Sequence, residues 1–458
     1  MKCFGLLMLL ALAGCAGPVL KTTPVPEVTP PSSWSAQTTG AQIGSQDWWT
    51  GFGDQTLDRL VADTLATNTE IGIAVGRVRE ARAHAKLASA ALFPNIEVGA
   101  GGANSRTVSA FGKPLEQTAA QPQFQIAYEV DLFGRIGDER KAADQGYIAS
   151  LAARDAVRLM VASTAVSGYV NLRALDARLD VAKQTLVARD EARRLARSRT
   201  QAGYAPMLEL RQAEAEYQAT ARIIPQVEFA IRRQENALRL LAGQLPGSID
   251  RGKPLAELQL VDVAPGLPSE LIRRRPDIAE AEYRLAATDA NLAAARKRFL
   301  PQMRLSGSAG FAISTLLSDP ISLFSLGGSI LAPIFEGGRL QAQAEGAAAR
   351  RDQAAFVYRR AVLNGFREVE DALAGVSLID AQKAIATEQV HQLGETYRLA
   401  TNRYRAGYAP YLEQLDAQRG LLTAQLGLID DTSAALTSRI QLFAALGGGW
   451  SEAGLVGD

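Results

Sequence analysis

The segment RAGYAPYLEQLDAQR, residues 405–419, nearly repeats QAGYAPMLELRQAEA, residues 201–215, almost half the chain earlier. A Gly-Tyr-Ala-Pro turn built twice, each time with acidic side chains just beyond it, signals a duplicated architecture. Each turn follows a long stretch of helical character: residues 136–202 and 339–406 contain no proline. In the first, Ile148, Ala152, Leu159, Ala162, Val166 and Tyr169 form a near-heptad apolar series broken at Asp155. At 1.5 Å per residue, a helix of that length spans roughly 100 Å, beyond the size of a globular domain. Each turn is followed by a shorter helical stretch, residues 206–243 and 410–446. Gly203 and Gly407 fit C′ positions that need a left-handed backbone, and Pro206 and Pro410 fit the first turn of the next helix. The repeated turn is therefore the tip of an antiparallel helical hairpin, made twice.

The segments before the long helices repeat as well. A helix reaching about residue 92 runs into Phe93-Pro94, then NIEVGAGGANSRTV and QFQIAYEVDLFG, where apolar and polar residues roughly alternate. The second pass reads AARKRFLP, QMRLSGSAGFAIST and LFSLGGSILAPIF. Pro94 and Pro301 mark equivalent helix-to-strand joints, and Phe133 and Phe335 equivalent strand-to-helix joints. Strand glycines Gly99, Gly101, Gly102, Gly307 and Gly310 weaken the case for an ordinary soluble core. Four strands are too few to close a barrel, and an open edge cannot face lipid, so strands of this kind enter a membrane only if several copies share one barrel. The pattern alone leaves a second reading open, a soluble β-hairpin cap on a helical rod. After the N-terminal apolar run no stretch of 18 apolar residues occurs, which excludes a helical span.

That first run, FGLLMLLALAG after Lys2, has signal-peptide length and ends in Leu12-Ala13-Gly14-Cys15. It resembles a bacterial lipoprotein signal, with cleavage at 1–14 leaving Cys15 as the lipid-bearing N-terminus and Ala16 fitting delivery to the outer membrane. Residues 15–46, rich in Pro, Thr and Ser, read as a lipidated extended tether. The first repeat covers 47–243, with strands at about 95–134 and a tip at 203–206. A Gly- and Pro-rich insertion follows at 244–268. The second repeat covers 269–446, with strands at about 302–335 and a tip at 407–410, and 447–458 form a tail. Lys+Arg 49 against Asp+Glu 48, interspersed, gives no basic footprint for nucleic acid.

The stretches WWTGFGDQTLDRLV, YEVDLFGR, ELIRRRPDIAEAE, APIFEGGR and YRAGYAPYLEQLDAQR occur here in the order and spacing of a known family. Over essentially the whole mature chain the sequence resembles the TolC/OprM-like outer-membrane efflux lipoproteins, the NodT group of outer membrane factors. The resemblance implies an α+β membrane protein: a homotrimer whose 12-stranded β-barrel, four strands per chain, is continued by a long periplasmic α-helical barrel. It implies docking to a periplasmic adaptor (a membrane fusion protein) and an inner-membrane efflux pump of the RND type, to expel small molecules. A TolC-like duct for type I protein secretion and a non-conducting lipid-anchored scaffold remain the rival readings.

The resemblance also supplies candidate site residues. In the family, hairpin tips close the periplasmic end of the tunnel, and acidic residues past the second tip line its narrowest ring. Glu413 and Asp416 fall on those positions, Glu209 on an acidic position of the first tip, and Tyr404 on a position that helps hold the closed state. Residues 413 and 416 share one helix face, so three copies would aim six carboxylates at one axis and favour cations there. Acids in a first helical turn also favour the helix dipole, which accounts for them without any gate. RRRPD at 273–277 reads as structural, a helix start with arginines paired to nearby acids. No enzyme signature is present: the two histidines, His84 and His391, have no metal-binding spacing, and no G-x-S-x-G or phosphate loop occurs. No cofactor is expected beyond the covalent lipid on Cys15.

Overall fold

The computed structural model describes residues 22–24, 28–35, 47–259 and 262–455, so Cys15 and the signal region lie outside the described residues. In chain order the elements are α1 (Gln55–Thr67), α2 (Thr69–Ala90), β1 (Asn95–Val108), β2 (Pro114–Val130), α3 (Arg135–Gln201), α4 (Met207–Leu241), α5 (Pro268–Arg274), α6 (Pro276–Lys297), β3 (Gln302–Ser314), β4 (Ile321–Leu331), α7 (Arg339–Arg405) and α8 (Tyr411–Ala445). The helices α3 and α7 are 67 residues each. The chain divides into two compact units that do not coincide with the two repeats. One holds Arg77–Leu151 and Glu280–Arg360; the other holds Val28–Gly76, Ala152–Ala279 and Ala361–Asp458.

The first unit carries the sheet, an antiparallel β1-β2-β3-β4 in simple order. Its register sorts the side chains cleanly, because successive residues point to opposite faces. Val98 pairs with Phe124, Phe124 with Ala309 and Ala309 with Phe324; Ile96 pairs with Ile126, Ile126 with Gly307 and Gly307 with Leu326. These rows make one face apolar. The other face takes the intervening residues, in rows such as Glu97, Gln125, Ser308 and Ser325. There Ser308 and Ser325 hydroxyls lie 2.9 Å apart, and Gln117 Nε2 donates to Ser314 Oγ at 3.1 Å. Half-buried positions of β2 and β3, among them Gln117, Ala119, Ser308, Ala312 and Ser314, fall on this polar face. The apolar face stands in the open: Phe324 is 87% and Leu326 90% exposed. At the β1–β2 turn the apolar band ends in a polar margin, where Arg106 meets Glu116 at 3.3 Å and Asn104 meets Thr118 at 2.9 Å.

Behind the sheet, the Asp131 carboxylate accepts from Ile136 N and Gly137 N and caps α3. Arg135 bridges Glu129 at 2.6 Å and Glu139 at 2.9 Å, which fixes the strand-to-helix joint. Small residues let the helices here approach closely, as where Leu292 packs with Ala347 and Ala348.

The second unit has the larger core, in which Trp48, Trp49, Phe52, Leu57 and Val61 meet Val166, Tyr169, Leu373 and Phe443. Trp34 belongs to it as well. Its ring lies 5.8 Å from Phe366, and its indole N–H donates to Gly266 O at 2.9 Å. Within the segment read as an extended tether, burying one indole and satisfying its N–H holds Trp34 against the core. Arg275 of the RRRPD stretch is buried and bridges Asp277 and Glu368, while Arg274 pairs with Glu270, and α6 starts at Pro276.

One buried carboxylate organises the start of this unit. Asp54 Oδ1 accepts from Thr56 N at 2.8 Å, capping α1, and Oδ2 accepts from Tyr169 Oη at 2.8 Å and Lys253 N at 2.9 Å. Gly252 passes so close that a Cβ there would sit 2.0 Å from Asp54 Oδ1. Burial acts to raise the Asp54 carboxyl, but the hydrogen bonds from Tyr169, Lys253, Thr56 and Leu57 outweigh it and hold the group below its ordinary value of 3.8. Its charged form therefore stabilises the fold, fully above that ordinary value, and the contribution is lost as pH falls through the depressed one. Asp54→Ala is expected to cost about 3 kcal/mol locally, from a lost cap and stranded donors. Hydrogen exchange should show a roughly hundredfold loss of amide protection in α1; unchanged protection would contradict this account.

Candidate functional site at the hairpin tips

Both tips, which lie in the second unit, fold by the same local rule. Gly203 has φ 77° and Gly407 φ 81°, the left-handed conformation that ends α3 and α7. The following amides turn back onto the helix, Tyr204 N to Arg199 O at 2.8 Å and Tyr408 N to Arg403 O at 2.9 Å. Pro206 and Pro410 take φ −71° with extended ψ. They are N-cap residues, one position before the first helical turn expected for them, because their extended ψ still turns the chain. The residues at the turns face outward: Tyr204 is 87% and Tyr408 82% exposed, with Met207, Leu208 and Leu412 also exposed.

Beneath the turns the two hairpins are stitched together. Tyr404, at the end of α7, is buried, and its hydroxyl donates to Glu209 Oε1 on α4. The Arg199 guanidinium of α3 lies 4.5 Å above the Tyr404 ring and donates to the carbonyls of Tyr404 and Arg405, each at 3.1 Å. Tyr411 packs on Tyr404 with ring centroids 5.6 Å apart, over an apolar floor that includes Ala196, Leu210, Ala213 and Leu415. Further along, Glu216 of α4 is clasped from two sides, by Arg189 of α3 at 2.7 Å and by Arg419 Nε of α8 at 2.9 Å.

Of the four candidates from the sequence, the structure thus joins Tyr404 and Glu209 directly. Glu413 and Asp416 lie on the opposite, solvent side of α8 from the buried Tyr411, Gln414, Leu415 and Gln418. Glu413 is half-buried with Arg403 Nη1 at 3.3 Å, and Asp416 is exposed. The arginines Arg189, Arg199, Arg403 and Arg419 were not anticipated. Their partners lie on other helices or across the turn, and no short-range pattern marks them.

Burial shifts the titration of this cluster. The Tyr411 phenol is pushed up to about 12, by desolvation and then by the Glu216 charge. Tyr404 is raised further, first by burial and then by its bond to the Glu209 carboxylate. Burial lowers the Arg189 guanidinium even with Glu216 beside it, whereas the hydrogen bond to Glu216 raises Arg419. The two helical hairpins are joined laterally by the phenol–carboxylate bond, the Arg199 guanidinium over two carbonyls, the doubly clasped Glu216 carboxylate and an Arg405–Glu191 pair at 3.5 Å, above a shared apolar floor.

The model of the outer membrane efflux protein family matches residues 60–244 and 267–448. The chain is 32% identical to the pyoverdine export outer membrane protein OpmQ of Pseudomonas putida, over 96% of each chain. It is 34% identical to the outer membrane protein OprJ of Pseudomonas aeruginosa, over 98% of this chain and 95% of that one. A crystal structure of a membrane protein from Pseudomonas aeruginosa superposes with a TM-score of 0.85 at 32% identity, over 94% of this chain and 98% of that one.

Because the raised tyrosines are neutral in the fold, their contribution is complete below the ordinary phenol value of 10.0 and lost as pH rises through the raised values. Alkaline titration at 295 nm should show a late-ionising fraction, and Tyr404→Phe should remove part of it and loosen amide protection at both tips. A Tyr404→Phe titration superimposable on wild type would contradict the Tyr404–Glu209 bond.

Proposed function

The chain belongs to the outer membrane efflux protein family, and we propose that three copies assemble into a channel whose periplasmic tips open and close. It is an outer-membrane efflux channel of a Gram-negative bacterium with its helical part in the periplasm. The observation that carries the shared barrel is the sheet: an apolar face, a polar face, and outer edges on β1 and β4 that no strand among the described residues pairs, the number three being what the family resemblance implies. In lipid each unpaired backbone group costs several kcal/mol, so the edges demand neighbours. Identical copies supply them, β4 of one against β1 of the next, giving 12 strands for three chains with the apolar face toward lipid. Cys15 carries the lipid anchor.

Each part of the tip then has a role. The Tyr404–Glu209 bond and Arg199 hold the closed state; Asp416 and Glu413 face the opening. Arg403 offsets part of the Glu413 charge at 3.3 Å, so Asp416 carries the larger share of the cation preference. The exposed apolar side chains at the turns, Tyr204, Tyr408 and Leu412, form a surface for a periplasmic adaptor that connects to an inner-membrane pump of the RND type. The cargo is small molecules, as the family resemblance implies, and the relative OpmQ is named for pyoverdine export.

Drug susceptibility of a deletion strain tests both function and orientation. Wild type and Ser325→Arg, on the polar face, should restore resistance and incorporate labelled palmitate unless Cys15 is replaced by Ser. Leu326→Arg, one residue along and on the apolar face, should fail, since an arginine toward lipid costs roughly 2–4 kcal/mol per chain. Equal rescue by both, or none by wild type, would overturn the reading. In planar bilayers Asp416→Ala should lower cation selectivity and divalent-ion block more than Glu413→Ala; unaltered selectivity in both removes the ring.

A further inference from the structure

The two β-hairpins of the first unit repeat one another residue for residue. Pro94 and Pro301 immediately precede β1 and β3, so Asn95 corresponds to Gln302, 207 positions on. Their partners correspond too: Asn95 pairs with Ala127 and Gln302 with Leu331, which carries β2 onto β4 by a shift of 204. The same shift carries Arg135, the first residue of α3, onto Arg339, the first of α7. Within one chain the two hairpins meet along β2 and β3. In a closed ring of copies, β4 meets β1 of the next copy in the equivalent place.

That equivalence fixes a register. Gln125 lies opposite Ser308, and the two shifts turn this pair into Ser329 opposite Gly101 of the next copy. Both belong to the polar face, Ser329 lying opposite Arg304 and Gly101 opposite Gln121. A slip of one residue would set a polar row against an apolar one, so only slips of two compete, and the repeat chooses among them.

The charges at the foot of the sheet complement one another in this register. At the joint within the chain, Glu129 lies opposite Arg304 and is bridged by Arg135 at 2.6 Å, with Arg304 Nε at 3.9 Å. At the joint between copies the corresponding residues are Pro333 for Glu129, Glu97 for Arg304 and Arg339 for Arg135. The carboxylate has moved from the strand that leads into the helix to the strand across the seam. In the single chain Arg339 pairs with Glu336 of its own turn and its side chain is 58% exposed. Glu97 is exposed as well, accepting from Asn95 Nδ2 at 2.7 Å. We propose that β4 joins β1 of the next copy with Ser329 opposite Gly101, and that Arg339 bridges Glu97 across this seam. The inference rests on the shared-barrel reading and adds to it the register and the ion pair that favours it.

Cysteine cross-linking reads the register directly. Residues opposite one another on neighbouring strands have Cα atoms about 4.5–5.5 Å apart, within disulfide range, whereas diagonal neighbours lie about 7–8 Å apart. Within one chain β1 and β4 are three strand spacings apart, roughly 14 Å, so a 329–101 disulfide must join two copies. Nothing lies within 4 Å of a Cβ built at Gly101, so a cysteine fits there. In outer membranes treated with a mild oxidant, Ser329→Cys with Gly101→Cys should give covalent dimers and trimers on non-reducing gels. Ser329→Cys with Gly99→Cys, or with Ala103→Cys, should give far less. The equivalent pair within the chain, Gln125→Cys with Ser308→Cys, should close without joining copies. A yield highest at 99 or 103 would overturn the register and leave the shared barrel standing; no joined copies from any of the three pairs would overturn both. For the ion pair, Glu97→Arg and Arg339→Glu should each lower the temperature at which the assembly dissociates in detergent, and the double exchange should recover most of the loss. A double exchange no more stable than either single variant would overturn the Arg339–Glu97 bridge.

Discussion

The backbone edges of β1 and β4, unpaired among the described residues, are the constraint on which the rest depends. A sheet of four strands with both faces exposed cannot be a soluble core, since Phe324, Leu326, Val98 and Ile96 would all stand in water. It cannot enter lipid alone either, since its edge amides and carbonyls would be unsatisfied. The two costs have one joint solution, a closed barrel of several copies. In the barrel proposed here the Gln and Ser rows would face the lumen, and the branched and aromatic rows would face hydrocarbon.

The helical hairpins meet a different constraint. Their turns need a residue with positive φ followed by an extended cap, and Gly-Tyr-Ala-Pro supplies both at each tip. Near the tips an apolar floor, Ala196, Leu210 and Ala213 of one hairpin against Tyr404, Tyr411 and Leu415 of the other, holds the hairpins together. Polar contacts add to it. Glu216 between Arg189 and Arg419, and Tyr404 between Glu209 and Arg199, are buried enough to be specific and few enough to be broken together. On the proposed gating, contacts of this kind would part without unfolding either hairpin.

Much of this was legible in the residues. The repeat exposed the duplicated hairpins because glycine and proline report backbone geometry directly. Strand alternation placed β1 to β4, and the Pro94 and Pro301 joints located where helix gives way to strand. What stayed hidden was long-range and one-off: Trp34 settling against Phe366, Arg199 reaching two carbonyls of the other hairpin, and Arg403 bridging to Glu413 across the turn. Such partners lie 10 to about 330 residues apart or depend on a single ring finding a slot, and no local period encodes them. The family likeness named Tyr404 and Glu209 separately; only the structure joined them.

The most direct test of the account is hydrogen exchange of the β1 and β4 backbone amides in the membrane-inserted protein, compared with the interior strands β2 and β3. Closure by neighbouring copies predicts that outward-pointing amides of both edge strands exchange as slowly as those of the interior pair. Edge amides that exchange at loop rates while β2 and β3 stay protected would show an open sheet and contradict the shared barrel.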